Sequence, residues 1–335
     1  MTIFELYLKR QAKRFDTYLA TFFADGVHED MSRYLYGPLR VFSKNAGKRH
    51  RPLICLLACE AVGGDSRKAW ASAAAIEHFH TAALIHDDIE DGSLTRREEP
   101  CMHVKEGIGL AINAGDLALA LVCGTVVDDE GLDDATKLRV LAELVAMTTR
   151  TIEGQALDIG WARDGRFDLT VDDYLVMANH KTAFYSGGVP LAVGAIIGGG
   201  TEVEIEALRD FGMAAGLAFQ IQDDVLNLIG TKESTKKDFR SDLTNGKRTL
   251  VVLHGLQQSP RSERLLEIVA SRTEDQTVLA EAVEILLEAG SIEFARGYAM
   301  GLVTEAKAAL EKVLAPSDAR KLLLSMADFF VKRVS

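Results

Sequence analysis

The hydrophobic positions along this chain recur every three or four residues, the spacing of an α-helix, rather than alternating as in a strand. Helices are expected over residues 1–36, 53–62, 67–91, 107–127, 133–162, 170–197, 202–228 and, with interruptions at Pro260 and Pro316, 250–333. No convincing period-two strand and no Gly/Ser linker is present. The pattern therefore predicts a single all-α domain covering residues 1–335.

Breaks in this pattern predict the connections. The sequence Tyr36-Gly37-Pro38 is expected to form a turn, and residues 187–190, Gly-Gly-Val-Pro, a break or kink in a helix. Residues 92–100 are expected to form a charged loop and residues 231–249 a polar, basic one.

Composition and charge exclude several classes of protein. The net charge of -11 argues against a nucleic-acid partner, since such proteins usually carry a basic stripe. The richest apolar run, residues 109–127, is interrupted by Asn113 and Asp116 and is predicted not to span a membrane. The start of the chain has no signal-peptide pattern, so a cytoplasmic location is expected.

Two acidic stretches lie near the ends of long apolar helices. They contain Asp87, Asp88 and Asp91 in the first, and Asp223, Asp224 and Asn227 in the second. Positions i and i+4 share a helical face, which pairs Asp87 with Asp91 and Asp223 with Asn227. Crowded carboxylates need a cation, and Mg²⁺ prefers a few carboxylates, waters and phosphate oxygens. Each stretch therefore predicts half of a Mg²⁺ site, with a diphosphate between the halves.

Basic residues follow both acidic stretches. Arg96 and Arg97 come after the first, and Lys237 and Lys247 after the second. Arginine is suited to two-pronged phosphate contacts. A third basic stretch, residues 47–52, could bind an anion without metal. Taken singly, the first acidic stretch and the third basic one would more often be solvated surface. Their combination favours a polyphosphate site.

The chain resembles the trans-prenyltransferases of the polyprenyl diphosphate synthase family over nearly its whole length. The matching motifs, in family order, are GKRxRP at 47–52, HTAxLxHDDxxD at 80–91, LTRR at 94–97, AINAGD at 111–116, GQxxD at 154–158, HKTA at 180–183, FQxxDD at 219–224 and GKRT at 246–249. The resemblance implies an all-α fold of antiparallel helices around a deep central cavity, the isoprenoid synthase type I fold, and a homodimer.

The resemblance also implies residue roles. The two aspartate motifs would hold Mg²⁺, three ions with substrate bound, on an allylic diphosphate. Basic residues matching contacts to that diphosphate are Arg96, Lys181 and Lys237, and Lys247 matches a lysine of a loop covering the site. Residues matching the isopentenyl diphosphate pocket are Lys48, Arg51, His80 and Arg97. Polar residues matching positions near the reacting carbon or the metal are Thr182, Gln220, Gln155 and Asp158.

Three positions depart from the family pattern. Asn227 stands where many members have Asp, which weakens the negative charge offered to metal. Glu98 replaces a glycine that often follows the arginine pair, and Ala46 replaces the first glycine before Lys48. None of these changes removes an expected catalytic group.

Product length should depend on the side chains beneath the first aspartate motif. Ala83, Phe79 and Ile76 descend from Asp87 on one helical face, and Ala82 is a family chain-length position. Ala82 and Ala83 are small, and Phe79, about 12 Å below Asp87, is the first bulky residue. A twenty-carbon product, geranylgeranyl diphosphate, is therefore expected, with twenty-five carbons or more as the alternative.

The predicted reaction is the Mg²⁺-dependent head-to-tail (1'-4) condensation of isopentenyl diphosphate with an allylic diphosphate. One rival is a class I terpene cyclase, which usually lacks counterparts of Lys48 and Arg51. Another is a non-catalytic partner subunit, which intact aspartate motifs argue against.

Overall fold

The computed structural model describes residues 1–23, 26–45, 47–230 and 239–332, and most of them are helical. The all-α prediction is confirmed. Within these ranges the α-helices are α1 Ile3–Leu19, α2 Glu29–Met31, α3 Gly37–Lys44, α4 His50–Ala61, α5 Trp70–Glu90, α6 Met102–Glu106, α7 Ile108–Val127, α8 Asp134–Arg163, α9 Val171–Ala178, α10 Val189–Ile197, α11 Glu202–Ile229, α12 Ser241–Thr244, α13 Leu250–Gln258, α14 Ser262–Ser271, α15 Gln276–Glu288, α16 Ser291–Val313 and α17 Asp318–Lys332.

Shorter elements connect some of these helices. They are 3₁₀-turns at Ala20–Phe22 and Ser66–Ala69, π-helical segments at Ser32–Tyr36 and Asn179–Gly188, and strands β1 Thr95–Arg96 and β2 Glu99–Pro100. The strands pair antiparallel within the loop expected at 92–100. The predicted break at 187–190 is the point where the second π-helical segment gives way to α10.

The prediction of a turn at Tyr36-Gly37-Pro38 is wrong. Helical structure runs through these residues, and α3 begins at Gly37 with Pro38 in its first turn. Because Tyr36 already has helical backbone angles, Pro38 lies in a continuous run of helical residues, at the point where the π-helical segment gives way to α3, and its fixed φ suits helical geometry.

The chain forms two compact units. One comprises Met1–Val145, Pro190–Ile205 and Ala315–Leu323, and the other Ala146–Val189, Glu206–Leu314 and Leu324–Ser335. The interpretation of residues 1–335 as one domain stays a prediction.

The core of the first unit is built on α4 and α5. Ten of the twelve residues of α4 are buried, and α5 packs against both α4 and α7. The apolar stretch of α5 is rich in alanine at 71–75, which allows close packing, and Ile76 and Phe79 fill the space that follows. Burial on several sides fixes this helix, and its C-terminal end carries the first aspartate motif.

In the second unit, the half of α11 that precedes the second aspartate motif supplies much of the core. Leu208, Phe211, Ala218 and Ile221 are all buried at helical spacing. Helix α13 packs against α9, α14 and α16, and buries Leu250–Leu253 completely. The motif therefore lies on a helix that is firmly held on its apolar side.

Helix α7 is long and apolar enough, by length and composition alone, to cross a membrane, but a single helix of this kind is weak evidence for a membrane span. Core helices pass the same test, and 39% of the apolar window of α7 is buried within the protein. Its remaining apolar side chains are half-buried or exposed.

Candidate active site

The first aspartate motif lies at the C-terminal end of α5. Asp88 is buried, Asp87 is half-buried, and Asp91, the residue that ends the helix, is exposed. The C-terminal end of a helix already carries a partial negative charge. Three carboxylates gathered there are costly unless a cation joins them.

Arg96 is one such cation. Its Nε lies 2.8 and 2.9 Å from the two carboxylate oxygens of Asp88, and its Nη2 lies 3.4 Å from Oδ2 of Asp87. Burial alone would lower the pKa of Arg96, but Asp88 and then Asp87 outweigh it and raise that pKa. The structure therefore places Arg96 on the aspartate motif itself, where it holds Asp88 inward and leaves Asp87 and Asp91 nearer the surface.

The β1–β2 hairpin presents both arginines. Arg96 pairs with Glu99 across the strands, so Arg97 and Glu98 form the two-residue turn. Both turn residues have positive φ, 53° and 72°. Such turns favour glycine or asparagine, because a Cβ in the left-handed region is strained. Glycine therefore suits the turn position after the arginine pair, and Glu98 adopts a left-handed backbone there at some cost.

A cationic cluster adjoins the hairpin. Arg51 Nη1 donates to His80 Nε2 at 3.2 Å, since arginine has no acceptor, and Arg97 donates to the backbone oxygen of Asn45 at 2.6 Å. Burial, and then the positive charges led by Arg51, hold the pKa of His80 well below its usual range. Lys48 is exposed nearby in sequence. A neutral histidine among cations suits an anion that binds without metal.

In the second unit, Asp224 is the centre of a chain of hydrogen bonds. The Tyr174 hydroxyl donates to Asp224 Oδ2 at 2.7 Å, and Gln220 Nε2 donates to Asp224 Oδ1 at 2.7 Å. The Thr182 hydroxyl in turn donates to Gln220 Oε1 at 2.8 Å. Thr182, Gln220 and Asp224, predicted separately as site residues, therefore form one connected network, and Tyr174 is an addition to it.

The electrostatics around Asp224 involve a further acid, Asp242. Burial, followed by the nearby charge of Asp242, raises the pKa of Asp224 despite the hydrogen bonds from Tyr174 and Gln220. Lys247 Nζ lies 3.8 Å from Asp242 Oδ1. Asp242 lies in the segment expected to be a basic loop, and the aspartate motifs alone gave no reason to choose it. Its position five residues before Lys247 was the available signal.

Asn227 contacts the chain that follows the motif. Its Nδ2 donates to Ser241 Oγ at 2.9 Å, and its Oδ1 accepts from the backbone N–H of Asp242 at 3.1 Å. The amide thus fixes the segment carrying Asp242, using both a donor and an acceptor. An aspartate could accept the second bond but could not donate the first.

Lys181 lies in the π-helical segment and forms an ion pair with Asp158 of α8. Gly154, one turn earlier on α8, makes this possible: a Cβ there would lie 2.7 Å from Lys181 Cα. Burial would raise the pKa of Asp158, but Lys181, Lys247 and Arg248 together hold it below the usual value. π-helical insertions are frequent at functional sites, because they turn side chains out of the regular register.

The two aspartate motifs offer oxygen donors for a metal ion. Over residues 1–23, 26–45, 47–230 and 239–332, no group of three or more His, Cys, Asp and Glu side chains is arranged to hold a metal ion. Mg²⁺ commonly takes only one or two carboxylates and completes its shell with water and substrate phosphate. Asp87 with Asp91, and the half-buried Asp223, are hard oxygen donors of this kind, so the residues fit such an ion.

The remaining predicted residues lie as follows. Ile76, Phe79 and Ala82 are buried in α5 and Ala83 is partly exposed. Gln155 is half-buried on α8. Lys237 and Ala46 lie outside the described residues.

Two buried arginines, Arg49 and Arg248, escaped the sequence interpretation. Each follows a Gly-Lys pair, at 47–49 and 246–248. Arg248 donates from Nε to the backbone oxygen of Arg166 at 2.6 Å, and its guanidinium lies 4.1 Å from the ring centre of Phe167. The repeated triplet was the sequence signal that could have identified both arginines.

The chain is similar to known proteins over most of its length. A family model described as Polyprenyl synthetase matches residues 32–286. A short chain isoprenyl diphosphate synthase of Methanothermobacter thermautotrophicus is 43% identical over 292 residues, covering 86% of each chain. A geranylfarnesyl diphosphate synthase of Natronomonas pharaonis is 36% identical over 315 residues, covering 89% of this chain and 90% of the other.

Solved structures agree with these relatives. The geranylgeranyl pyrophosphate synthetase of Pyrococcus horikoshii has a TM-score of 0.90 at 34% identity and covers 98% of both chains. A geranylgeranyl pyrophosphate synthase of Corynebacterium glutamicum, complexed with isoprenyl diphosphate and magnesium, has a TM-score of 0.86 at 28% identity, again covering 98% of both. The predicted fold family is confirmed.

Proposed function

Because the chain belongs to the polyprenyl synthetase family and is therefore a prenyltransferase, we propose that it condenses isopentenyl diphosphate with an allylic diphosphate, using Mg²⁺. The observation that carries this proposal is the pairing of two unlike anion sites in the first unit. The aspartates ending α5 are suited to a diphosphate that arrives with metal. The cluster of Arg51, His80 and Arg97 is suited to one that arrives without it.

The metal would be held by Asp87, Asp88 and Asp91 and by Asp223, Asp224 and Asn227, with three ions in the loaded enzyme. Asp88 and Asp224 are buried and already accept hydrogen bonds from Arg96 and Tyr174. They would stabilise the ions from positions behind the more exposed members of each motif. When bound, Mg²⁺ neutralises charge on the departing diphosphate. The number of ions rests on the family resemblance alone.

The chain's own residues then have distinct tasks. Four basic residues stabilise the diphosphate as its C–O bond breaks, because positive charge near the leaving group offsets the negative charge that develops. They are Arg96, Lys181, Lys237 and Lys247. Thr182 and Gln220 place polar atoms near the allylic carbon, which becomes cationic. The isopentenyl double bond attacks that carbon, and the released pyrophosphate takes the proton, so no side-chain base is required.

For the product we propose geranylgeranyl diphosphate, with Phe79 as the floor of the chain-length cavity. Phe79 and Ala82 are buried on α5. Their side chains therefore lie inside the protein, where a bulky residue such as Phe79 could block a growing chain. The relative from Natronomonas pharaonis bears the name of a twenty-five-carbon synthase, which keeps the longer product as the alternative.

We further propose that the protein is a homodimer that works in the cytoplasm. Support for the dimer comes from α8, where Leu138, Val145, Ile152 and Ile159 are exposed at intervals of seven residues. Such spacing forms one apolar stripe along a helix, suited to a second copy of the same helix. The mass of the purified protein in solution, measured by light scattering, tests this directly.

Product analysis tests the reaction. Purified protein is incubated with Mg²⁺, isopentenyl diphosphate and dimethylallyl, geranyl or farnesyl diphosphate in turn. Elongated diphosphates of twenty carbons support the proposal, and longer ones move the assignment to the alternative. Cyclised hydrocarbon would indicate a terpene cyclase, and absence of turnover a partner subunit.

A further inference from the structure

Arg49 is a buried arginine in the middle of the basic stretch 47–52. Its side chain is 1% exposed, whereas Lys48 beside it is exposed. It also has a left-handed backbone, with φ 54° and ψ 29°, directly before α4 begins. A non-glycine residue adopts that conformation only when its surroundings hold it there.

The Arg49 backbone is held in this conformation by contacts of its guanidinium with three different helices. Nε lies 2.6 Å from Asp16 Oδ1 of α1, Nη1 lies 2.5 Å from Glu77 Oε1 of α5, and Nη2 donates to the backbone oxygen of Ser43 in α3. The arginine is therefore occupied by the protein and is not positioned to receive a ligand.

Helix α5 links this anchor to the anion pocket. Glu77 and His80 are three residues apart, which places them on neighbouring positions of one helical face. Arg49 binds Glu77 and Arg51 contacts His80, so residues 49 and 51 attach to α5 at two adjacent points. The same loop is contacted from outside by Arg97, for which Gly47 leaves room: a Cβ there would lie 2.8 Å from Arg97 Nη2.

We propose that Arg49 and Glu77 are positioning residues for isopentenyl diphosphate. By fixing the 47–51 loop to α5, the pair sets the placement of Lys48 and Arg51 relative to His80 and Arg97. This inference rests on the proposed function, which assigns those four residues to the isopentenyl diphosphate pocket. Neither Arg49 nor Glu77 touches the substrate.

The chemistry of the pair favours this role over stabilisation of the fold. A buried ion pair contributes little net stability, because desolvation offsets much of the attraction between the charges. What it does fix is geometry, through five donors in a rigid plane. Small displacements of substrate-binding groups are costly: about 1 Å can reduce catalysis a hundredfold.

The test measures ligand binding and kinetics separately. The Kd of isopentenyl diphosphate without metal, and that of geranyl diphosphate with Mg²⁺, are measured by calorimetry, and both KM values by product formation. Arg49→Met should weaken isopentenyl diphosphate binding and raise its KM about tenfold or more, with both constants for geranyl diphosphate within about twofold. Arg49→Lys, which keeps the charge but loses the planar fork, should fall between.

A double variant separates positioning from a buried unpaired charge. Arg49→Met with Glu77→Gln removes both charges, so stability should largely recover while isopentenyl diphosphate binding stays weak. Leu57→Ala, in the buried part of α4, serves as the control that lowers the unfolding temperature without changing either Kd. Arg139→Met, which breaks an exposed ion pair with Glu202, should change neither Kd nor the unfolding temperature.

The outcomes distinguish this inference from the proposed function. Lys48→Met is the positive control for the pocket. If it weakens isopentenyl diphosphate binding but Arg49→Met does not, the positioning role is overturned and the proposed function stands. Recovery of binding in the double variant would also overturn it. If the wild-type protein binds no isopentenyl diphosphate, both fail.

Discussion

Replacing Tyr174 by Phe removes one hydroxyl from the buried network around Asp224. The lost bond is 2.7 Å long, between a tyrosine that is 1% exposed and an aspartate that is 5% exposed. A hydrogen bond to a neutral partner is worth about 0.5–1.5 kcal/mol, and one to a charged partner about 1.5–3 kcal/mol. Gln220 keeps its bond to the other oxygen, so Asp224 does not lose both partners.

The loss of stability should depend on pH. Burial and Asp242 raise the pKa of Asp224, so its carboxyl is ionised less readily than usual. The Tyr174 bond stabilises the ionised form, and its removal raises that pKa further. The difference between wild type and Tyr174→Phe should therefore lie near 1 kcal/mol while Asp224 is protonated. It should grow toward about 3 kcal/mol as the pH rises and Asp224 ionises.

Urea unfolding followed by circular dichroism measures this difference. With a slope of about 3 kcal/mol per molar, the midpoint should fall by about 0.3–1 M. Tyr298→Phe in the same unit is the matched control, because Tyr298 is only half-buried, and it should shift the midpoint by less than about 0.2 M. Equal shifts in the two variants, or a Tyr174→Phe effect independent of pH, would refute the assignment of this bond.

Three other changes test separate parts of the protein. Phe79→Ala should lengthen the product beyond twenty carbons in chromatographic analysis, and an unchanged distribution would contradict its role as the floor. Burial lowers the pKa of His78 to about 3, so the neutral form stabilises the fold above pH 6.5 and that stability is lost as the pH falls. Between pH 7 and pH 5 the free energy of unfolding, measured in urea, should fall by about 2 kcal/mol more in the wild type than in His78→Leu. An equal fall in both proteins would argue against a buried, neutral His78. Asn227→Asp adds a carboxylate beside Asp242, so its unfolding temperature should fall without Mg²⁺ and recover with it, unlike that of the wild type.

Much of the fold followed from local patterns. Helical periodicity identified the long helices because each buries one side of a regular repeat, which a sequence window contains in full. The errors lay at connections. At Gly37-Pro38 helical structure continues where a turn was expected, since the fixed φ of proline suits a helix as well as a bend. The β1–β2 hairpin was also missed, because two-residue strands have no period to detect.

The candidate site divides in the same way. The sequence by itself determined which residues carry charge, the spacing that puts Asp87 with Asp91, and the motif order that identifies the family. Only the tertiary structure decided which of these groups form hydrogen bonds with other parts of the protein. Asp88 is hydrogen-bonded to Arg96, Asp224 to Tyr174 fifty residues earlier, and Asn227 to the segment after its helix.

Arg49 shows the physical reason most clearly. In the sequence it is one cation among several in a basic stretch, and the repeated Gly-Lys-Arg triplet marks Lys48 as much as Arg49. Its partners lie 33 and 28 residues away, on α1 and α5, and only folding brings them within hydrogen-bonding distance. Charge and spacing are properties of the chain, whereas burial and pairing depend on what the rest of the molecule places beside each group.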